Sequence, residues 1–198
     1  LDGDGNIDLV VSKSGNDTVD VLSGNGDGTF RLANSYNVGD GPFSVALNDF
    51  DGDGQVDIVT GNGIASSISV LLGNGDGTFQ AGQDTATGSR PWSLAVSDID
   101  GDGHVDVVTA NEDDGTIRIS LLLGNGDGTF FQATPFTVGG APRSIALADL
   151  NGDSVLDAVV ANNVSILLGN KSSALHLRND NVVSEVHQFR SMPYGFSD

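Results

Sequence analysis

Between Asp49 and Asp57 the chain reads Asp-Phe-Asp-Gly-Asp-Gly-Gln-Val-Asp, which places four carboxylates in nine residues. Like charges packed at alternate positions repel one another unless something positive lies among them. The chemistry that suits this pattern is capture of a hard divalent cation, since Ca2+ takes about six to eight oxygen ligands. Asp49, Asp51, Asp53 and Asp57 would offer carboxylates and Gln55 its backbone carbonyl. Gly52 and Gly54 would let the backbone curl, because glycine accepts positive φ without a Cβ clash. The register returns at Asp98, Asp100, Asp102, His104 and Asp106, and in altered form at Asp149, Asn151, Asp153, Val155 and Asp157. A further copy, Asp2, Asp4, Asn6 and Asp8, lacks the leading acid. Three to four Ca2+ ions are expected, in a structural role, because such a site lacks the open, strongly polarising position of a catalytic zinc. The competing reading is an acidic hairpin that holds no ion.

Two departures rank the loops. Asn151 replaces an acid and Ser154 replaces a turn glycine, so this loop carries less charge and strained backbone, and is expected to be the weakest complete site. The first loop is either incomplete or completed from elsewhere.

Other reactive side chains form no catalytic set. His104 stands where only a carbonyl is needed, so its ring is expected to face solvent, and His176 and His187 lie near the C-terminus. No Ser/His/Asp or paired-Glu arrangement emerges, and no enzyme activity is expected. Asp27, Asp76 and Asp127 either form a second acidic ring or serve as turn formers in Asn-Gly-Asp-Gly, the second being what tight hairpins demand. Phe43 and Trp92 follow a Pro at equivalent positions, with Arg143 next in the series. They would either line a carbohydrate or peptide site or pack between neighbouring sheets. Asn16, Asn163 and Asn170 begin glycosylation sequons, meaningful only in a secreted eukaryotic protein.

The elements that position the acids repeat with them. Asp8, Asp57, Asp106 and Asp157 follow one another at steps of 49, 49 and 51 residues, a period that suits propellers and related arrays. Each unit predicts a strand after a Pro (44–48, 93–97, 144–148), the acidic loop, and a β-branched strand (7–11, 56–60, 105–109, 156–160). A further strand then ends in Gly-Asn-Gly-Asp-Gly-Thr-Phe (21–30, 70–79, 121–130), and a Phe-led fourth strand follows. Apolar residues at nearly consecutive positions, such as Val56, Ile58 and Val59, predict sheets covered on both faces. The expected fold is all-β: about four four-stranded antiparallel blades over residues 1–170, the first truncated, as a closed propeller or part of a larger one. Residues 171–198 differ in composition and form either closing strands, at 174–178 or 182–186, or a tail.

Composition limits the partners. A net charge of −19 in 198 residues argues against nucleic acid and anionic membranes, and no apolar run is long enough to span a bilayer. Up to Asn170 the acids number 24 and the bases 5, and 14 of those acids lie in the four loops. Four Ca2+ ions would bring the net charge to about −11. The absence of cysteine rules out disulfides and thiol chemistry. Calcium loops without regulation fit an extracellular setting, where the ion is abundant.

The DxDGDGxxD loop between strands, the roughly 50-residue period and the Leu-Leu-Gly-Asn-Gly-Asp-Gly-Thr-Phe turn together resemble the FG-GAP repeat, including VCBS-type and integrin α-subunit propellers. Gly139 to Pro142 spell part of that name. The resemblance implies a calcium-binding β-propeller in which each loop joins the innermost strand of a blade to the next. An EF-hand fits worse, because its twelfth-position Glu is replaced by Thr60, Thr109 and Val160. The expected function is an extracellular scaffold for adhesion or for binding a glycan or protein. The alternatives are a structural subunit that self-assembles through open blade edges, and a non-catalytic part of a secreted polysaccharide-active enzyme.

Overall fold

The computed structural model describes residues 1–112, 119–161, 165–169 and 178–179. Strands β1 (Leu9–Lys13), β2 (Thr18–Gly24) and β3 (Phe30–Asn37) form the first sheet in that order. The second holds β4 (Pro42–Asn48), β5 (Asp57–Asn62), β6 (Ser67–Leu71) and β7 (Gln83–Ala86). The third holds β8 (Pro91–Ser97), β9 (Asp106–Asn111), β10 (Ile119–Leu122) and β11 (Thr134–Phe136). The fourth holds β12 (Ser144–Ala148), β13 (Asp157–Ala161), β14 (Ser165–Leu168) and β15 (Arg178–Asn179). All neighbours pair antiparallel, and β4, β8 and β12 pack on one another in succession, so the sheets stand as blades around their first strands.

Each blade carries two apolar faces because its middle strands alternate within an unbroken apolar run. In the second blade Ile58 and Leu71 are paired and face the first blade, where they meet Val19 and Val21. Val59 and Val70 are paired on the opposite face and meet Val107 and Leu122 of the third blade. The third blade repeats this with Val108 and Leu121, which meet Ala158 and Leu167 of the fourth. All residues of β5, β6, β9 and β10 are buried. Among the described residues the first sheet makes no extended contact with the fourth, so the blades form an arc.

Strand limits differ from the sequence reading in a consistent way. The strand after each acidic loop starts at its last Asp or just beyond, and the third strand of each blade stops before the glycine turn. Only β3 begins at its Phe; Phe79 and Phe130 make single bridges, to Gly73 and Gly124, before their strands resume further on. Pro42 and Pro91 begin their strands, and the register slips between Pro42 and Ser44 and between Pro91 and Ser93, which suits a residue unable to donate to the ladder. Of the C-terminal segment, β15 pairs with β14 through Asn179 opposite Leu167 and Arg178 opposite Leu168. The other strand-forming or tail residues expected there, and the sequon Asn163 and Asn170, lie outside the described residues.

Candidate metal centre

In the second, third and fourth acidic loops the leading acid folds the loop around itself. Asp49 accepts the N–H groups of Gly52 at 2.8 Å and Gly54 at 2.9 Å, one on each oxygen. Asp98 does the same with Gly101 and Gly103, and Asp149 with Gly152 and Ser154. The following acids each accept an N–H two residues on, as Asp51 does from Asp53, Asp53 from Gln55 and Asp102 from His104. Gly52 and Gly54 adopt φ of 75° and 84°, the left-handed region that a side chain resists. Ser154 is forced to a φ of 66°, the strain expected from its sequence.

This winding turns carboxylates toward one another. Oxygens of Asp2, Asp4 and Asp8 lie within 4.8 Å of each other, as do those of Asp49, Asp51 and Asp53, and those of Asp98, Asp100 and Asp106. Asp57 and Asp102 stand outside these trios, and among the described residues Asp149, Asp153 and Asp157 form none. In the fourth loop the Asn151 amide donates to Asp153 Oδ2 at 3.2 Å, and in the first the Asn6 amide donates to Asp4 Oδ2 at 2.8 Å. In the fourth loop the replacement of an acid by Asn151 therefore engages an oxygen of Asp153 as well as removing a charge.

The last acid of each loop does something the sequence reading missed. Asp57 is sealed from solvent, and its two oxygens accept the N–H of Phe50 and of Gly73, both at 2.7 Å. Asp106 holds Ile99 and Gly124 likewise, each at 2.8 Å, and Asp157 holds Leu150 and Gly169. Asp8 takes the Gly24 N–H and the Leu1 nitrogen, which stands where Phe50 N–H does in the second loop. The loop is thus fastened to the end of the blade's third strand. Burial raises the Asp57 carboxyl, and raises Asp106 to about 6, against the lowering effect of those N–H groups. Each carboxylate oxygen has a further lone pair, so the bracket does not exhaust its capacity as a ligand.

The glycine turn completes this fastening. A Cβ on Gly73 would lie 2.3 Å from the Val56 carbonyl oxygen, so the close approach admits only glycine. Gly75 and Gly126, at φ of 77° and 74°, lie against the side chains of Gln55 and His104. His104 is exposed, yet its ring rests on the turn and does not point freely into solvent. Asp27, Asp76 and Asp127 accept the N–H and hydroxyl of the Thr two residues on, which holds their carboxyls below the usual range. They are turn formers.

At the other end of the blades, Phe43 and Trp92 lie at the register slips and meet at 4.6 Å between ring centroids. Arg143 sits over the Trp92 ring at 5.4 Å and pairs with Glu112. Half-buried, with Phe43 and Arg143 against its ring, Trp92 packs between blades. A second pattern went unread in the sequence: Ser69 donates to Asp84 at 2.5 Å in the second blade, while the first blade has the pair reversed, Ser35 donating to Asp20 at 2.6 Å. The signal was available as an exchange of residue types between aligned repeats.

Residues 1–60, 49–109 and 98–160 each match the FG-GAP-like repeat. The chain belongs to the FG-GAP-like repeat family. Its repeats superimpose on an Agrocybe aegerita lectin that recognises non-reducing terminal N-acetylglucosamine, at 24% identity and a TM-score of 0.52, over 83% of this chain and 47% of the lectin chain. They also superimpose on BBS1N, solved in complex with ARL6DN, at 16% identity and a TM-score of 0.58, over 84% of this chain and 50% of that one. These likenesses concern the FG-GAP fold alone, and the chain spans about half the length of either structure. No curated protein matches it significantly.

Proposed function

We propose that this FG-GAP chain is an extracellular binding scaffold whose acidic loops hold structural Ca2+, with no catalysis of its own. The observation that carries the reading is the convergence of three carboxylates within 4.8 Å in each of three loops. The donor set is all oxygen, which suits Ca2+ and disfavours Zn2+ or copper, whose sites draw on imidazole and thiolate. Asp49, Asp51 and Asp53, Asp98, Asp100 and Asp106, and Asp2, Asp4 and Asp8 would hold the ions. The carbonyls of Gln55 and His104 are further candidates. A bound ion would offset the mutual repulsion of these acids, and Asp8 and Asp106 would serve both the ion and the fastening of loop to strand.

The reading of the ligand is a glycan or an extracellular protein. A lectin with the same fold recognises terminal N-acetylglucosamine, which makes a glycan array the first screen. Binding to no glycan on such an array would move the search to protein ligands. For the ions, calorimetric Ca2+ titration tests the ranking of the loops. Asp102→Ala should cost more affinity than Asp153→Ala, because the fourth loop has one acid fewer and gathers no acidic trio. The reverse order would contradict this ranking of the loops.

A further inference from the structure

Away from the acidic loops, two linkers between blades are gripped from both sides. Residues 38–41 join the first blade to the second, and residues 87–90 join the second to the third. In the blade just left, Asp17 takes a left-handed φ of 55°, accepting Val38 N–H on its carbonyl and Gly41 N–H on its carboxylate at 2.8 Å. Ser66, at a φ of 57°, accepts Thr87 N–H on its carbonyl and Arg90 N–H on its hydroxyl, the latter at a looser 3.4 Å. In the blade being entered, Ser69 Oγ accepts Gly39 N–H at 3.0 Å and Ser120 Oγ accepts Gly88 N–H at 2.8 Å.

The serines of the entered blades sit in polar sockets within an otherwise apolar boundary. Thr60, Asn62 and Ser69 are fully buried, on the face of the second blade whose Ile58 and Leu71 meet the first. Asn62 accepts the Thr60 hydroxyl and donates to Ser69 at 2.7 Å, while Ser69 donates to Asp84. With two N–H groups accepted and its proton given away, the Ser69 hydroxyl is used in full. Thr109, Asn111 and Ser120 repeat the arrangement in the third blade, where Gly88 is itself buried. Gly39 admits no side chain although its φ is not left-handed, because a Cβ would lie 2.6 Å from Asn62 Nδ2.

We propose that these sockets are latches that couple each blade to the one before it, so that neighbouring blades open together. Apolar contact is non-directional and tolerates a shift between sheets, whereas a buried hydrogen bond to a fully used hydroxyl fixes one position of the linker. In a repeat array, coupling is a term between nearest neighbours, and the latch belongs to that term. The proposal involves none of the acidic loops and does not depend on which cation they hold.

Native-state hydrogen exchange read by mass spectrometry, at one fixed Ca2+ concentration, tests this in the full chain. Ser69→Ala should speed exchange of β2 in the first blade about tenfold relative to β9 and β10 of the third. Ser120→Ala should set the break at residues 87–90, changing β2 and β5 together relative to β9 and β10. Gly39→Ala, which pushes the linker off Asn62 with the serine intact, should reproduce the effect of Ser69→Ala. Thr60→Val disturbs the same network without touching the linker, and should leave the ratio of β2 to β9 exchange unchanged. Acceleration confined to β5 and β6, or spread evenly over all blades, would overturn the proposal, as would equal shifts in that ratio from Ser69→Ala and Thr60→Val.

Discussion

Asp53 and Asp57 belong to one loop and do different work. Asp53 is exposed and accepts a single N–H from its own loop, that of Gln55 at 2.7 Å. Asp57 is fully buried and joins Phe50 to Gly73, the latter 16 residues on. The loop therefore has a solvent-facing half, where carboxylates face one another, and an inward half, where one carboxylate ties two strands together. Identical side chains are separated in role by burial and by the sequence distance of their partners.

The sharpest way to break this comparison is to remove each acid in turn. Asp57→Ala strands two buried N–H groups and should cost about 3–5 kcal/mol in urea unfolding, with or without Ca2+. Asp53→Ala should cost under about 1 kcal/mol in metal-stripped protein and act mainly on cation affinity. Equal losses in the stripped state would erase the distinction. Next in size is Gly126→Ala, which meets a left-handed φ and the His104 ring together, for about 2 kcal/mol. A double-mutant cycle with His104→Ala should recover about 1 kcal/mol, the packing share.

Asp106, fastened inward, and Asp4 and Asp149, in outward positions, titrate in opposite senses. Burial raises the Asp106 carboxyl to about 6, so the folded chain holds that proton more tightly than the unfolded chain does. Its contribution to stability is complete below about pH 4 and is lost as pH rises through about 6. Backbone N–H groups hold Asp4 and Asp149 low, so their contribution is present above about pH 4 and is lost in stronger acid. Metal-stripped protein should therefore weaken between about pH 4 and 6, and Asp106→Asn should flatten that slope in urea titrations. The smallest effect expected is at Ser154, where Ser154→Gly relieves a φ of 66° and should stabilise by about 0.5–1 kcal/mol.

The loops were legible in the sequence because everything that winds them is local. Asp49, Gly52 and Gly54 lie within a few residues, and their types alone predict the φ values found. Blade order was legible for a similar reason, since the alternation of Ile58 and Val59 already gives each sheet two faces. What stayed hidden depends on partners far along the chain. Nothing near Asp57 announces Gly73. Strand starts were set too early at Val56 because its β-branched side chain reads as strand, while the ladder with β4 begins at Asp57.

The proposed function requires cations at the acidic trios of three loops. Thermal unfolding of the chain in Ca2+, then in excess chelator, tests this most directly. Each site filled at about 100 times its Kd adds about 2.7 kcal/mol to the folded state. Three such sites should move the midpoint by roughly 10 °C or more. A midpoint that does not change when Ca2+ is withdrawn would contradict the account.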